Sequence, residues 1–396
     1  MIYLPFYKMT NTIQNYEWGS KTAMQGLFAF KNKTQQTQAE LWMGAHANGC
    51  SLLSTGEGVI KLSDFIAQDP HLILGKKTAD EFGQLPYLFK VLAAEKALSV
   101  QVHPNKQQAQ AGFAKENKLA VPHNAFNRNY KDANHKPEVV FALTEYLAMN
   151  GFRDMQQIVE YFQPINILEI KPLLQAFSAD FTAGGLQDFF QAMLLLEGGR
   201  KTRAVQALMV YAQDNLHQPL FSLIAELGRQ YPGDIGLFSP LMMNVLTLQP
   251  GEAMFLDACT PHAYIKGTGL EIMANSDNVL RAGLTPKYID VPELLANTIF
   301  CSKAAEDLLL KPQADAGWQN YVVPVSDFKL SIADNVEDLC VKVNSAEIIF
   351  AVDAPVRLSH RDENTITINK GESLFIPAYA GDYQVSSSGQ LARAYN

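Results

Sequence analysis

Four residues in this chain could together hold a divalent transition metal. Gln101 and His103 stand two apart in SVQVHPNK, Ser99 to Lys106, at the end of an apolar run. Residues two apart on a strand point to the same side. Glu138 follows Lys136-Pro137 and leads into Val139-Val140-Phe141, so it heads an apolar strand and points into a barrel. His262 lies in TPHAY. Two imidazoles, one carboxylate and one amide oxygen form a nitrogen and oxygen ligand set that leaves a bound cation electrophilic. Such a set suits catalysis better than an all-thiolate structural site does. Spacing alone does not assemble the three segments. A Gln-x-His pair can be incidental, and a lone His can be a packed or capping residue.

A second cluster lies in GTGLEIMANSDNVLRAGLTPK, residues 267–287, which holds Glu271, Asp277, Arg281 and Lys287 amid Gly, Asn and Ser. It reads as a long polar loop, the kind of segment that often carries a site. Arg281 offers a bidentate fork and Lys287 a point charge, so the two could clamp a phosphate. A solvated loop is the alternative.

Three textures must position these residues. Residues 1–150 mix short β-like runs (KVLAA, LSVQV, PEVVFAL) with loops such as HPNK and HNAFNRNYKDANHK. Residues 152–237 read as helical: Leu186, Phe189, Phe190, Met193 and Leu194 follow the spacing of an amphipathic helix. This block is expected to be a structural insert. After FSPLMM, short alternating strands return between Pro-Gly, Lys-Gly and Asp-Ala turns, the pattern of a sandwich or barrel. QPGEAMFLDACTPHAYI also echoes NKGESLFIPAYAGDYQV: Gly251 falls on Gly371, Glu252 on Glu372, Phe255 on Phe375 and His262 on Asp382. Two copies of one hairpin suggest two related barrels. With Asp382 in the ligand position, no second metal is expected.

Composition narrows the function classes. The 396 residues allow two or three domains. A net charge of −8 argues against sequence-independent nucleic-acid binding but leaves room for a small anion held by local Lys and Arg. The first residues lack a secretory pattern, and no run reaches the ~20 apolar residues of a membrane helix. Cys50, Cys259, Cys301 and Cys340 are scattered without CxxC spacing, as expected of reduced thiols in the cytoplasm.

SVQVHPNK, YKDANHKPEVVFAL, LDACTPHAYIKGTGLEIMANSDNVLRAGLTPKYIDV, QNYEWGS and AELWMGAHANG resemble the type I phosphomannose isomerases. The resemblance runs from near residue 10 to about 300 and more loosely to the end. It implies a mainly β protein: two cupin-like, jelly-roll barrels with an inserted α-helical domain. Residues 1–151 and 238–320 would form the metal-binding catalytic domain, 152–237 the insert, and 321–396 a smaller C-terminal barrel without metal. It implies one zinc ion per chain, held by Gln101, His103, Glu138 and His262, and interconversion of mannose 6-phosphate and fructose 6-phosphate. Arg281 matches the family's catalytic arginine. Lys136, His135 and Asp277 match further active-site positions, as do the substrate-lining Ser99, Lys287 and Glu271. The sequence departs from the looser cupin hairpin pattern at Asp257, where Pro is common, and at Cys259, where Gly is common. The Cys259 thiol, three residues before His262, could crowd the metal.

An aldose–ketose isomerase must open the sugar ring and move a proton between C2 and C1. Asp277 or Lys136 could carry that proton while His135 assists ring opening, with a metal-promoted hydride shift as the alternative route. The partner is then a small sugar phosphate, with no nucleic acid and no membrane, and the chain a monomer or a dimer. Competing readings are a metal-dependent cupin acting on another sugar phosphate, an iron dioxygenase using His103, Glu138 and His262, and a non-catalytic sugar-binding cupin.

Overall fold

One long strand, His262–Ala274, organises the site in the computed structural model, which describes residues 3–362 and 364–396. It pairs antiparallel with Tyr87–Ala94 on one edge. Glu138–Ala142 and Tyr146–Phe152 share its other edge. The register brings Glu271 opposite Lys90, Met273 opposite Glu138, and His262 opposite Gln101. Gln101 also faces Arg281 on the strand Leu280–Gly283. Residues far apart in the chain thus become neighbours through strand pairing. These strands belong to a 10-stranded sheet.

A second, 11-stranded sheet is made mainly of C-terminal strands. Tyr7–Thr10 joins it by pairing with Ser373–Ile376, so the start of the chain is stitched to its end. Strand periodicity decides which side each residue takes. Phe89, Val91, Val139, Phe141, Leu270 and Ile272 turn towards the second sheet and pack with Phe328, Ile348, Phe350 and Phe375. Their alternates Lys90, Glu138 and Glu271 take the opposite face.

Five helices fill the middle of the chain: Met155–Phe162, Lys171–Ser178, Ala183–Leu194, Gly198–Asp214 and Pro219–Gln230. Leu186, Phe189, Phe190 and Met193 are buried as the spacing predicts, and Leu194 packs against the same core half-buried. That core also takes in Val100, Val102, Ala263, Leu280 and Ala282. Gln101 and Arg281 therefore each stand between two residues anchored in the helical core. The block is a support for the site's strands.

The first 150 residues carry more helix than their texture suggests. Leu62–Gln68, Pro70–Leu74, Lys76–Phe82 and Lys106–Lys118 are helical. The last begins directly after HPNK: Asn105 accepts from the Gln108 backbone, and the Gln108 side chain returns the bond in a capping box. Residues 267–274, read as loop, belong instead to the long central strand. Among the described residues no helix is long and apolar enough to cross a membrane.

The hairpin echo extends to hydrogen bonds. Gly251 and Gly371 both take positive φ, 93° and 82°, which glycine adopts without a Cβ penalty. Glu252 accepts from the Gln249 N–H and Glu372 from the Asn369 N–H, each at 2.8 Å. The neighbouring strands Glu138–Ala142 and Glu347–Ala351 correspond as well, which places buried Glu347 where Glu138 stands. Its partner is Arg393, with Nε 2.5 Å from the carboxylate and the guanidinium 4.1 Å above the Tyr395 ring. Removing one member of a buried ion pair leaves the other unpaired and costs about 3–5 kcal/mol. Arg393→Met should lower the unfolding free energy by roughly that amount in urea titration, and adding Glu347→Gln should recover much of it.

Candidate active site

His103, Glu138 and His262 converge: their ligand atoms all lie within 4.8 Å of one another, and all three residues are buried. The strand ends explain this. His103 follows Val100–Val102, Glu138 opens its strand and His262 opens the long central one. Hydrogen bonds fix both rings. His103 Nδ1 lies 2.7 Å from the Asn278 carbonyl, and His262 Nδ1 lies 2.9 Å from the Thr260 carbonyl. A carbonyl only accepts, so each Nδ1 carries the proton and each Nε2 presents a lone pair.

Those lone pairs face a carboxylate. His103 Nε2 is 3.3 Å from Glu138 Oε1, and His262 Nε2 is 3.7 Å from Oε2. His103 Nε2 is buried and makes no hydrogen bond among the described residues. Burial, then the nearby Lys136 charge, holds the His103 imidazole down to about 3, and burial lowers His262 as well, so both rings are neutral near pH 7. Burial works against ionisation of Glu138, but the Lys136 ammonium, 2.8 Å away, overrides it and keeps the carboxyl well below its usual range. Tyr264 donates to its other oxygen at 2.7 Å. Three inward-facing electron-pair donors without a shared proton are a poor arrangement by themselves and a good one around a cation. The nitrogen and carboxylate donors, each oriented by an outer hydrogen bond, fit a zinc ion. Gln101 donates its amide nitrogen to Ser99 Oγ at 3.2 Å, which leaves its oxygen free to be the fourth donor.

A cavity of about 250 Å³ adjoins this cluster and is lined by Ser99, Gln101, Lys136, Glu138, His262, Glu271, Asp277, Arg281 and Lys287. A larger one, about 660 Å³, shares Ser99, Gln101, Arg281 and Lys287 and reaches Lys96 and, from the helical block, Lys201. Arg281, Lys287, Lys96 and Lys201 make no ion pair among the described residues. Burial lowers the pKa of Lys287, and the neighbouring Arg281 charge adds to the effect. Both cations line both cavities.

Two expected residues sit elsewhere. His135 turns to Asp327, with Nε2 3.0 Å from both carboxylate oxygens, and does not line either cavity. The Cys259 thiol points to Gln108 Oε1 at 3.1 Å and stays out of the metal cluster. Cys259 takes φ 65°, which explains the common glycine in that hairpin position. Glu271 is a buried strand residue paired with Lys90 Nζ at 2.7 Å.

The sequence reading passed over Tyr16, Trp18, Glu40, Trp42 and Lys90, all of which line the smaller cavity. Lys90 was the readable one: a single charge inside the apolar run PYLFKVLAA needs a buried partner or a polar cavity. It has both, since Glu40 lies 3.6 Å away on its other side and accepts from Trp42 Nε1 at 2.7 Å.

Sheets, a helical insertion and a buried His–Glu–His cluster describe a metal-binding β protein of the cupin class, and residues 318–396 match the cupin domain of mannose-6-phosphate isomerase. Residues 6–155 match the catalytic domain of type I phosphomannose isomerase and residues 165–243 its helical insertion domain. The chain belongs to the type I phosphomannose isomerase family. It is 46% identical over 393 residues to the mannose-6-phosphate isomerase of Salmonella typhimurium, covering 98% of this chain and 99% of that one. It is 36% identical over 405 residues to the Homo sapiens enzyme of the same name, covering 94% and 93%. A crystal structure of zinc-bound mannose 6-phosphate isomerase superposes with a TM-score of 0.94 at 45% identity, covering 99% of this chain and 100% of that one.

Proposed function

We propose that this protein interconverts mannose 6-phosphate and fructose 6-phosphate with one zinc ion per chain. The observation that carries this reading is the convergence of His103, Glu138 and His262 beside a cavity lined by Arg281 and Lys287. Family membership supports it: relatives at 46% and 36% identity carry the isomerase name, and a structural neighbour holds zinc. His103, Glu138, His262 and the Gln101 amide oxygen would hold the ion. When bound, zinc supplies a Lewis acid that polarises the substrate carbonyl.

The chain's own residues do the rest. Lys287, Ser99 and the outer lysines hold the phosphate end of the open-chain sugar. Asp277 takes the proton from C2. The C–H electron pair forms the C1–C2 double bond, and the carbonyl pair moves to O1. Arg281, a fixed cation, stabilises that developing negative charge. Once a proton passes from the O2 hydroxyl to O1, the pair on O2 re-forms a carbonyl at C2. The double-bond electrons then take the proton back from Asp277 at C1, on the same face, which gives the ketose. The Lys136 ammonium is held by Glu138, which favours Asp277 as the base acting on carbon.

We also assign the chain two cupin-like barrels: residues 1–151 with 238–320 as the catalytic unit, 152–237 as the insert and 321–396 as the second barrel. The repeated hairpin and the placement of the family-model matches support that division.

A coupled assay with mannose 6-phosphate, before and after a chelator and again after adding zinc, tests the function. Turnover lost with the chelator and regained with zinc is expected; metal-replete protein that leaves the sugar phosphate unchanged would refute the reading. In deuterated water, label at C1 of fructose 6-phosphate is expected, and full retention of substrate hydrogen would favour the hydride shift. Lys287→Ala removes a charged contact to the phosphate, of the kind worth about 1.5–3 kcal/mol, so KM should rise roughly 10- to 100-fold. Zinc content should not change, and an unchanged KM would remove Lys287 from the phosphate site.

A further inference from the structure

The segment Ala39–Gly49, AELWMGAHANG, lies far in sequence from every residue assigned a chemical role above, yet two of its side chains meet Asp277. Asn48 Nδ2 donates to Asp277 Oδ2 at 3.0 Å, and His46 Nε2 faces the same oxygen at 3.4 Å. The His46 ring has only one way to carry its proton when neutral. Its Nδ1 lies 3.2 Å from the Asn48 backbone N–H, which can only donate, so Nδ1 accepts. The proton then resides on Nε2, the atom aimed at Asp277. The Trp42 ring, edge-on at 5.0 Å, holds the imidazole plane. His46 is buried, whereas Asp277 is 37% exposed and lines the cavity. The Asp277 backbone is also fixed, because its N–H donates to Asp132 at 2.8 Å.

Both side-chain contacts fall on Oδ2. Oδ1 is left for the cavity. We propose that His46 and Asn48 are positioning residues that clamp Oδ2 of Asp277, so that Oδ1 is aimed at the carbon-bound proton of the substrate. This deepens the isomerase reading and rests on it. Without these contacts the carboxylate could turn about its Cβ–Cγ bond and present either oxygen to the cavity. The clamp removes that freedom. The arrangement has the logic of an orienting third group behind a base, with the imidazole here in the supporting role.

The test is a mutant cycle on the zinc-loaded enzyme with mannose 6-phosphate. His46→Phe keeps a planar ring and removes the donor. Misplacement of a reacting group can cost about 100-fold, so kcat should fall by about that order with KM and zinc content near wild type. His46→Gln restores an N–H donor near the Nε2 position and should recover most of kcat. In an Asp277→Asn background, His46→Phe should cost nothing further. Equal kcat for the Phe and Gln variants would overturn the proposal, as would a full additional loss from His46→Phe in the Asp277→Asn background. Asp277→Asn with wild-type kcat would overturn the assignment of Asp277 as base, and the clamp with it. Should His46→Phe fail to fold, His46→Gln, Asn48→Ala and Asp277→Asn complete the comparison: Asn48→Ala should lower kcat alone and be silent beside Asp277→Asn, and additive losses would overturn the clamp.

Discussion

Replacing Glu138 with alanine should abolish zinc retention and turnover together. Glu138 is the only carboxylate in the His103–Glu138–His262 group, so it supplies the negative charge that offsets the cation. Without it the ion would meet the two neutral imidazoles and the proposed Gln101 amide. The loss is larger than one ligand's share, because Lys136 sits 2.8 Å from that carboxylate. Once Glu138 is gone, an unopposed ammonium stands beside the metal position and repels a dication. A Lewis acid contributes several kcal/mol to the transition state, so turnover should fall by about a thousandfold or more. Two measurements check this independently of activity. Metal analysis of purified Glu138→Ala should find little zinc. Wild-type protein should also gain thermal stability with added zinc, about 2.7 kcal/mol at a hundredfold excess over Kd, while the variant should gain none. A variant that binds zinc and turns over at the wild-type rate would remove Glu138 from the site.

The sequence disclosed the donors and concealed the neighbourhood. Gln-x-His at a strand end, a carboxylate heading an apolar strand and a His after a tight turn each carry a local signature, because strand position dictates which side a residue faces. Their convergence is different. It comes from the register of His262–Ala274 against Val100–Val102, Glu138–Ala142 and Tyr87–Ala94, and register between strands distant in sequence leaves no mark in any one strand. The helical block was legible through Leu186, Phe189, Phe190 and Met193, whose spacing repeats every helical turn. The strand carrying Glu271 was misread as loop because Gly267, Thr268, Gly269 and Glu271 look polar. Glu271 is tolerated inside the sheet by Lys90, a partner on another strand. His135 shows the converse: a residue beside the site in sequence faces a carboxylate, Asp327, almost 200 positions away.

Arg281→Ala is expected to lower kcat by about 100- to 1,000-fold, the usual cost of deleting one preorganised group that stabilises charge in the transition state. The setting of Arg281 supports the role proposed for it. Its flanking residues Leu280 and Ala282 are buried in the helical core, so the backbone beneath it is fixed before substrate arrives. Its guanidinium makes no ion pair among the described residues, and only burial lowers its pKa, which still leaves it charged at neutral pH. A fixed cation with no internal partner, at a cavity shared with the metal cluster, has its charge available for the reaction. The oxygen of the substrate carbonyl is neutral in the ground state and gains charge as C2 loses its proton, so Arg281 acts most strongly at the transition state. The loss should therefore fall on kcat, whereas Lys287→Ala, at the proposed place of a phosphate charged throughout, should fall on KM. Arg281→Lys keeps the charge without the planar fork and should lie between wild type and the alanine variant. Steady-state kinetics on zinc-loaded protein separates these outcomes: an Arg281→Ala enzyme with kcat near wild type and a raised KM would move Arg281 to the phosphate and leave the proton-transfer charge without its protein cation.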